Sequence, residues 1–174
     1  MSRNPDSRSR GDDGNCSWEY AEPYLKERQK LEEERNPFDP DDPTPWEVDA
    51  LALIDAIMAA AEGDGFDPDD YAAPMGRDVT QENPPWIGEI KSSGVPRKDE
   101  GGSREYRVYF AEPLVDRVLL AALLKYKTAK QMRASTRFAA KPLSSGRQTS
   151  DIATAMGIVR GWCNKCGVSY RPRG

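Results

Sequence analysis

The side chains best suited to chemistry in this sequence are cationic and phenolic. The chain contains no histidine, which excludes histidine-based catalytic triads and histidine-ligated zinc sites. Lys, Arg and Tyr can cleave RNA without a metal: the ribose 2′-hydroxyl attacks the adjacent phosphorus, one group removes its proton, and cations stabilise the dianionic phosphorane. A lysine whose pKa is lowered by a neighbouring cation, here Lys125 near Lys127, is a candidate for the base. The candidate catalytic residues are Lys91, Arg107, Tyr109, Lys125 and Lys127, with Glu89 orienting Arg107 and Tyr126 as a second candidate phenol.

These candidates lie in three short runs rich in aromatic and aliphatic residues, at 86–91, 104–110 and 117–127. Gly, Pro and Asp punctuate the runs, which predicts an antiparallel meander of three strands. The third run is almost wholly apolar, as is typical of a central strand buried on both faces. It ends in Lys125 and Lys127, so two ammonium groups are expected at one end of the sheet.

Alternation along the middle run separates its side chains onto two faces. Val108 is expected on an apolar face, and Arg107 and Tyr109 on the opposite face. Hairpin pairing should bring Arg107 beside the lysines that end the third run, and a scissile phosphate would offset these cations. In the alternative interpretation, Glu89, Lys91 and Arg107 form a ladder of ion pairs on a solvated face.

Charge is divided unevenly along the chain. Residues 1–100 contain 11 Lys and Arg against 25 Asp and Glu, whereas residues 101–174 contain 14 against 4. This asymmetry favours a nucleic-acid-binding face in the second half, although a solvated charged surface is the alternative. The segment after the third run is predicted to be a mobile basic arm or a short helix. Its candidate RNA-binding residues are Lys130, Arg133, Arg137 and Lys141.

Composition divides the chain into a tail, a domain and a second tail. Residues 1–43 are acidic and poor in apolar side chains, which predicts a largely disordered segment with one weak helix at about 24–35. Residues 17–20 are either a short first strand or an apolar anchor. Residues 44–168 are predicted to form the folded domain, and 169–174 a basic tail.

Two helices are predicted to pack on the sheet. The first runs to about Glu62: Thr44 and Glu47 match a capping box, Pro45 fits the first helical position, and Gly63 ends the helix. The second begins near residue 149. One common core is expected to contain Leu51, Ile54, Met58, Val108, Phe110, Leu120 and Ile152.

No cofactor is expected from the sequence. Four aspartates at 64–70 resemble a calcium loop only weakly, because the later bidentate glutamate is absent and a proline interrupts the run. Cys163 and Cys166 lack the further ligands that zinc needs, so a structural role is favoured. The chain has no apolar run long enough for a membrane span and no apolar signal core at its start, so a cytoplasmic protein is expected.

Four segments together resemble a known family. They are Ile87-Gly-Glu-Ile-Lys91, Tyr106-Arg-Val-Tyr-Phe110, Val118-Leu-Leu with Lys127-Thr128 at the end of the same run, and residues 148–156. Their order and spacing resemble the RelE/HigB group, which are small ribonuclease toxins of toxin–antitoxin modules common on phages and plasmids. The resemblance covers about residues 45–163. It implies an α+β fold with N-terminal helices packed on a twisted antiparallel sheet of three to four strands, then a C-terminal helix.

The resemblance also implies roles and partners. Glu89 and Lys91 fall on family positions at the end of one strand, Arg107 on the arginine of the family's Tyr-Arg strand, and Lys127 on the lysine at the end of the last strand. Lys91 stands where the family has arginine, whose planar fork binds phosphate in a bidentate manner. Expected partners are RNA, including ribosome-bound mRNA, and a cognate antitoxin protein. Two alternatives remain: a non-catalytic RNA- or protein-binding module on a degenerated toxin fold, and a ParE-like inhibitor of DNA gyrase.

Overall fold

The computed structural model describes residues 4–137 and 143–174, and it describes side chains for all of these residues except 135–137 and 143–148. The chain has an α+β fold whose single sheet combines parallel and antiparallel strands. No helix in the described ranges is long and apolar enough to cross a membrane. The main elements are β1 Ser17–Tyr20, α1 Glu22–Glu33, α2 Val48–Glu62, β2 Ile87–Ser93, β3 Glu105–Ala111, β4 Val118–Lys127, α3 Ala129–Arg137 and α4 Leu143–Cys166.

The predicted meander is confirmed. β2 pairs antiparallel with β3, and β3 pairs antiparallel with β4. The sheet order is β1-β4-β3-β2, so β4 is a central strand, and the side chains from Leu119 to Leu124 are all at most 4% exposed. The apolar composition of this strand follows from that position, because helices cover both of its faces.

The prediction of a purely antiparallel sheet is wrong in one respect, because β1 pairs parallel with β4. Ser17 lies opposite Val118, and Tyr20 lies opposite Ala121. The backbone N–H of Ala21 continues the pairing by donating to the carbonyl of Ala121 at 2.9 Å. Residues 17–20 are therefore an edge strand, which settles the choice left open by the sequence.

The first 43 residues are largely packed onto the domain, which corrects the prediction of a disordered tail. Ser9 Oγ donates to the buried carboxylate of Glu112 at 2.8 Å, and Trp18 Nε1 donates to the carbonyl of Met58 at 2.8 Å. Composition misled here because a few apolar anchors and buried hydrogen bonds hold an otherwise polar segment. Buried side chains in this segment include Ser9, Cys16, Trp18, Tyr24 and Leu31.

The predicted single core is in fact two cores, one on each face of the sheet. Leu51, Ile54, Met58, Val108 and Phe110 pack together beneath α1 and α2. The other two predicted members lie on the opposite face, against α4: Leu120 and Ile152. A central strand sends alternate side chains to opposite faces, so residues of one strand cannot all enter one core.

Helix α2 matches its prediction at the C-terminus but not at the N-terminus. Gly63 ends the helix as expected. Glu47 is the N-cap residue without a side-chain capping bond, so no capping box forms with Thr44. The Glu47 carboxylate instead points into the protein, where it accepts a hydrogen bond from Tyr106 and lies 3.2 Å from Arg97.

The two C-terminal helices, α3 and α4, contact each other, and α4 packs against the sheet. α3 is the short helix that the sequence offered as one of two possibilities. α4 begins at Leu143, earlier than the predicted start near residue 149, and packs Ile152, Met156 and Val159 against the sheet. This helix covers the face that carries the candidate catalytic residues.

Candidate nucleic-acid interface

Three basic residues stand in one row across the sheet. Lys91 of β2 is paired with Arg107 of β3, which is paired with Lys125 of β4. Residues directly opposite each other in antiparallel strands point to the same face, so the three cations share a face. The Lys91 and Lys125 side chains are exposed, whereas Arg107 is 9% exposed. The sequence prediction that Arg107 lies beside the end of β4 is confirmed.

Acidic residues flank the central guanidinium of this row. Arg107 Nε and Nη2 contact Glu105 Oε1 at 2.7 and 2.5 Å, and Arg107 Nη1 lies 3.8 Å from Glu89 Oε2. Lys91 Nζ lies 3.6 Å from the other oxygen of Glu89. Burial lowers the pKa of Arg107, but Glu89 and Glu105 outweigh it, so the pKa is raised. The close contacts of the Arg107 guanidinium are therefore with Glu105, and Glu89, Lys91 and Arg107 form the ion-pair ladder of the alternative interpretation.

Among the described residues, two buried donors of the site make no hydrogen bond of good geometry, although Arg107 Nη1 lies 3.8 Å from Glu89 and the Arg107 guanidinium moderates the pKa of Tyr109. Tyr109 Oη and Arg107 Nη1 have no hydrogen-bond partner within the described part of the chain. Tyr109 is fully buried, and burial together with the charge of Glu89 raises its pKa. An unmade hydrogen bond costs roughly 1–3 kcal/mol for a buried polar group, so these donors favour an acceptor supplied from outside. Tyr126, the second candidate phenol, packs against the opposite face.

Lys127 is the lysine with the properties expected of a base. Its side chain is 8% exposed, and burial and the charge of Arg107 lower its pKa. The charges of Asp151, Glu105 and Glu89 oppose that shift without reversing it. The hypothesis had assigned this role to Lys125, but that side chain is exposed and is less suited to it.

The predicted RNA-binding residues of α3 are only partly free to bind RNA. Lys130 Nζ donates to the carbonyl of Asp99 at 3.0 Å, and Arg133 Nη1 donates to the carbonyl of Gly101 at 2.7 Å. Both side chains therefore hold the β2–β3 loop against α3. Two further predictions lie outside the described side chains: Arg137 and Lys141.

The C-terminal tail does not return to this site. Tyr170 pairs with Pro113 beyond the end of β3, and Arg171 Nη1 contacts Glu112 Oε1 at 2.6 Å. The guanidinium of Arg171 also lies 4.6 Å from the Trp86 ring. These contacts are at the end of the sheet opposite Lys127, and they tie the tail to the N-terminal segment.

Two acidic residues of the site were missed in the sequence. Glu105 precedes Arg107 by two positions, so strand alternation alone could have placed it on the same face. Asp151 lies on α4, and its charge acts on both Tyr109 and Lys127. No local pattern could have found Asp151, because its position depends on how α4 crosses the sheet.

No metal site is evident. Within residues 4–137 and 143–174, no three His, Cys, Asp or Glu side chains are grouped to hold an ion. Asp67 caps a short 3-10 helix by accepting from the Asp69 backbone at 2.9 Å. Cys163, on α4, is buried against the sheet, and Cys166 is exposed.

Comparison with known proteins supplies no relative. No family model, no curated protein and no solved structure matches the chain. The resemblance to RelE/HigB toxins therefore rests on the four sequence segments alone. Any functional conclusion must come from the geometry of the site.

Proposed function

We propose that the chain is a RelE/HigB-like ribonuclease toxin that cleaves RNA through attack of the 2′-hydroxyl on the adjacent phosphorus. One observation carries the proposal: Lys91, Arg107 and Lys125 stand in register on one sheet face, and the buried Tyr109 hydroxyl on the same face makes no hydrogen bond of good geometry within the described residues. A row of cations tracks a phosphate backbone, and a spare donor suits a phosphorane oxygen. The expected partners are RNA, including ribosome-bound mRNA, and a cognate antitoxin.

Each residue has a distinct role in this mechanism. Lys91 and Lys125 contact the phosphates that flank the scissile one. Arg107 Nη1 and Tyr109 Oη donate to its non-bridging oxygens. Lys127, whose pKa is lowered, has a larger neutral fraction than an ordinary lysine and accepts the 2′-hydroxyl proton. As the 2′,3′-cyclic phosphate forms, the bond from phosphorus to the 5′-oxygen breaks, and that leaving oxygen takes a proton from water. Because Arg107 and Lys127 are nearly buried, a phosphate reaches them only after a local shift of the chain that covers them.

A second candidate is a non-catalytic RNA-binding module on the same fold. It is favoured by the contacts of Glu105 and Glu89 with Arg107, which neutralise much of the guanidinium charge. In that case the exposed Lys91 and Lys125 bind RNA while the buried network serves stability.

Expression toxicity followed by single-turnover cleavage of a defined transcript separates the candidates. The ribonuclease should cut in the presence of a chelator, leave 2′,3′-cyclic phosphate ends, and spare a substrate with a 2′-deoxyribose at the scissile position. Arg107→Ala should abolish cleavage, whereas Lys98→Ala, a change at an exposed lysine outside the row, should not. RNA binding without cleavage would favour the second candidate. A protein that neither binds nor cuts RNA, alone or with ribosomes, would overturn both.

A further inference from the structure

A cavity of about 310 Å³ lies at the outer edge of β2, next to the row of cations. Leu53 and Ile57 of α2 form one wall, and Tyr71 contributes to another. Glu89 and Lys91 belong both to this cavity and to the site described above. A ligand in the cavity therefore lies beside any phosphate that Lys91 contacts.

The backbone at this edge is only partly paired. Ala72 and Glu89 exchange two hydrogen bonds of 2.8 and 2.9 Å, and Met75 donates to the carbonyl of Ile87 at 2.8 Å. Backbone groups that point to this edge recur at every second residue, so the N–H and C=O of Lys91 also point outward. No strand pairs with them in the described ranges. The cavity edge thus offers one backbone donor and one acceptor side by side.

The remaining lining combines apolar surface with carboxylates. Leu53 is 50% exposed, although it belongs to the largely apolar helix α2. Tyr71 is 6% exposed, its ring packs against Phe66 and Phe110, and its hydroxyl donates to Asp12 at 2.6 Å, so it forms a fixed wall of the cavity. Asp69 and Asp70 are exposed at the rim, and their carboxylates have no partner in the described part of the chain. These walls suit a flat apolar group that carries N–H donors.

We propose that this cavity binds one nucleobase of the RNA substrate, and specifically a base with an exocyclic amino group: adenine, cytosine or guanine. The inference rests on the proposed function. The amino group donates to the Asp69 and Asp70 carboxylates, the Lys91 backbone pairs with the polar edge, and the exposed Leu53 side chain covers one face of the base. Uracil lacks an exocyclic amino group and is bound less tightly.

A peptide strand is a poorer occupant of this edge. The segment at 72–75 already blocks one end. Of the outward-pointing residues of β2, only Lys91 and Ser93 remain, and the chain then turns through Gly94 and Pro96. Strand addition gains its affinity from a longer series of main-chain hydrogen bonds.

The test is fluorescence anisotropy with labelled hexamers of adenylate, cytidylate and uridylate, which share the phosphate backbone. The wild type should bind the adenylate and cytidylate hexamers about five-fold or more tightly than the uridylate hexamer. Leu53→Trp should fill the cavity mouth and remove that preference while leaving uridylate binding unchanged. Leu25→Trp is the matched control, because Leu25 is also 50% exposed on a helix but lies on α1. It should keep the preference.

A second variant makes the result independent of cavity shape. Asp69→Asn with Asp70→Asn should reduce the preference, and both variants should keep the wild-type urea midpoint. Equal affinity of the wild type for all three hexamers, or a preference that survives Leu53→Trp, overturns the inference and leaves the proposed function standing. A wild type that binds none of the hexamers and cuts no transcript overturns both.

Discussion

Two buried charge clusters lie on opposite faces of the same sheet, and their hydrogen bonding differs. The Arg107 site, on the α4 face, consists of Glu89, Glu105, Arg107, Tyr109 and Lys127. The Arg97 cluster, bordering α1 and α2, consists of Glu34, Glu47, Arg97, Glu100, Arg104 and Tyr106. Each contains at least one arginine, at least two glutamates and one fully buried tyrosine, so apart from Lys127 their composition is similar.

The polar side-chain atoms of the Arg97 cluster are nearly all hydrogen-bonded. Arg104 makes two 2.8 Å bonds to Glu100, Arg97 donates to Glu34 at 2.8 Å, and Tyr106 donates to Glu47. Among the described residues of this cluster, only Arg97 Nε lacks a hydrogen-bond partner, and that guanidinium is stacked 3.8 Å from the Trp46 ring. Such a network pins the β2–β3 loop to the helices, which is a structural role.

The hydrogen bonding of the Arg107 site is less complete than that of the Arg97 cluster. Its glutamates engage Arg107 unevenly, with one close pair and one at 3.8 Å, and the Tyr109 hydroxyl has no partner in the described ranges. Lys127 is nearly buried with a lowered pKa, which costs stability. Incomplete and strained electrostatics of this kind are typical of a site that completes itself with a ligand. This difference predicts different mutational behaviour.

The largest effect on stability is expected from Glu47→Ala. The change leaves the Tyr106 hydroxyl without its acceptor and removes the fully buried carboxylate 3.2 Å from Arg97, which should lower the free energy of unfolding by about 3–5 kcal/mol. Urea denaturation measures it, with Asp49→Ala as the control because Asp49 is exposed in the first turn of the same helix. A loss below about 1 kcal/mol would mean that this cluster is not structural.

Lys127→Ala should act on the reaction instead of the fold. Loss of the candidate base should reduce single-turnover cleavage by about 10²-fold. The urea midpoint should stay the same or rise, because a buried cation beside Arg107 is removed. Lys98→Ala should change neither. Unchanged cleavage with a lowered midpoint would make Lys127 a structural residue and would favour the non-catalytic candidate.

The two buried tyrosines offer the closest matched pair. Tyr106→Phe removes the bond to Glu47 and should cost about 1–3 kcal/mol at neutral pH. Tyr109→Phe removes a hydroxyl without a partner in the described ranges and should cost less than about 0.5 kcal/mol. Urea midpoints of the two variants measure the difference. Equal losses would show that the Tyr109 hydroxyl does have a partner in the folded protein.

The smallest effect is a pH dependence. Burial raises the pKa of both Tyr106 and Tyr109, so as pH rises through about 10 the unfolded chain loses phenolic protons that the folded chain keeps. The unfolded state then binds fewer protons, and stability falls with increasing pH. Tyr109→Phe should reduce the steepness of this fall, as urea midpoints from pH 7 to about pH 11 would reveal. An unchanged slope would contradict the raised pKa.

Local pattern predicted the part of the site that lies within strands. The alternation around Arg107, the apolar run that became β4 and the end of α2 at Gly63 depend on neighbours in sequence, so they could be read directly. The choice between Lys125 and Lys127 as candidate base could not be made from the sequence for a related reason. Burial is the main cause of the lowered pKa of Lys127. The sequence shows two lysines two positions apart, and it does not show which of them the neighbouring elements bury.

The sequence by itself determined the three antiparallel strands and the shared face of Arg107, Tyr109 and the β4 lysines, because strand periodicity and turn residues are local properties. Only the tertiary structure decided that β1 pairs parallel with β4, that Glu47 points inward to Tyr106, and that Asp151 approaches Lys127. Each of these depends on contacts between residues far apart in the chain. Such contacts are selected by the packing of whole helices and strands, and no short stretch of sequence contains that information.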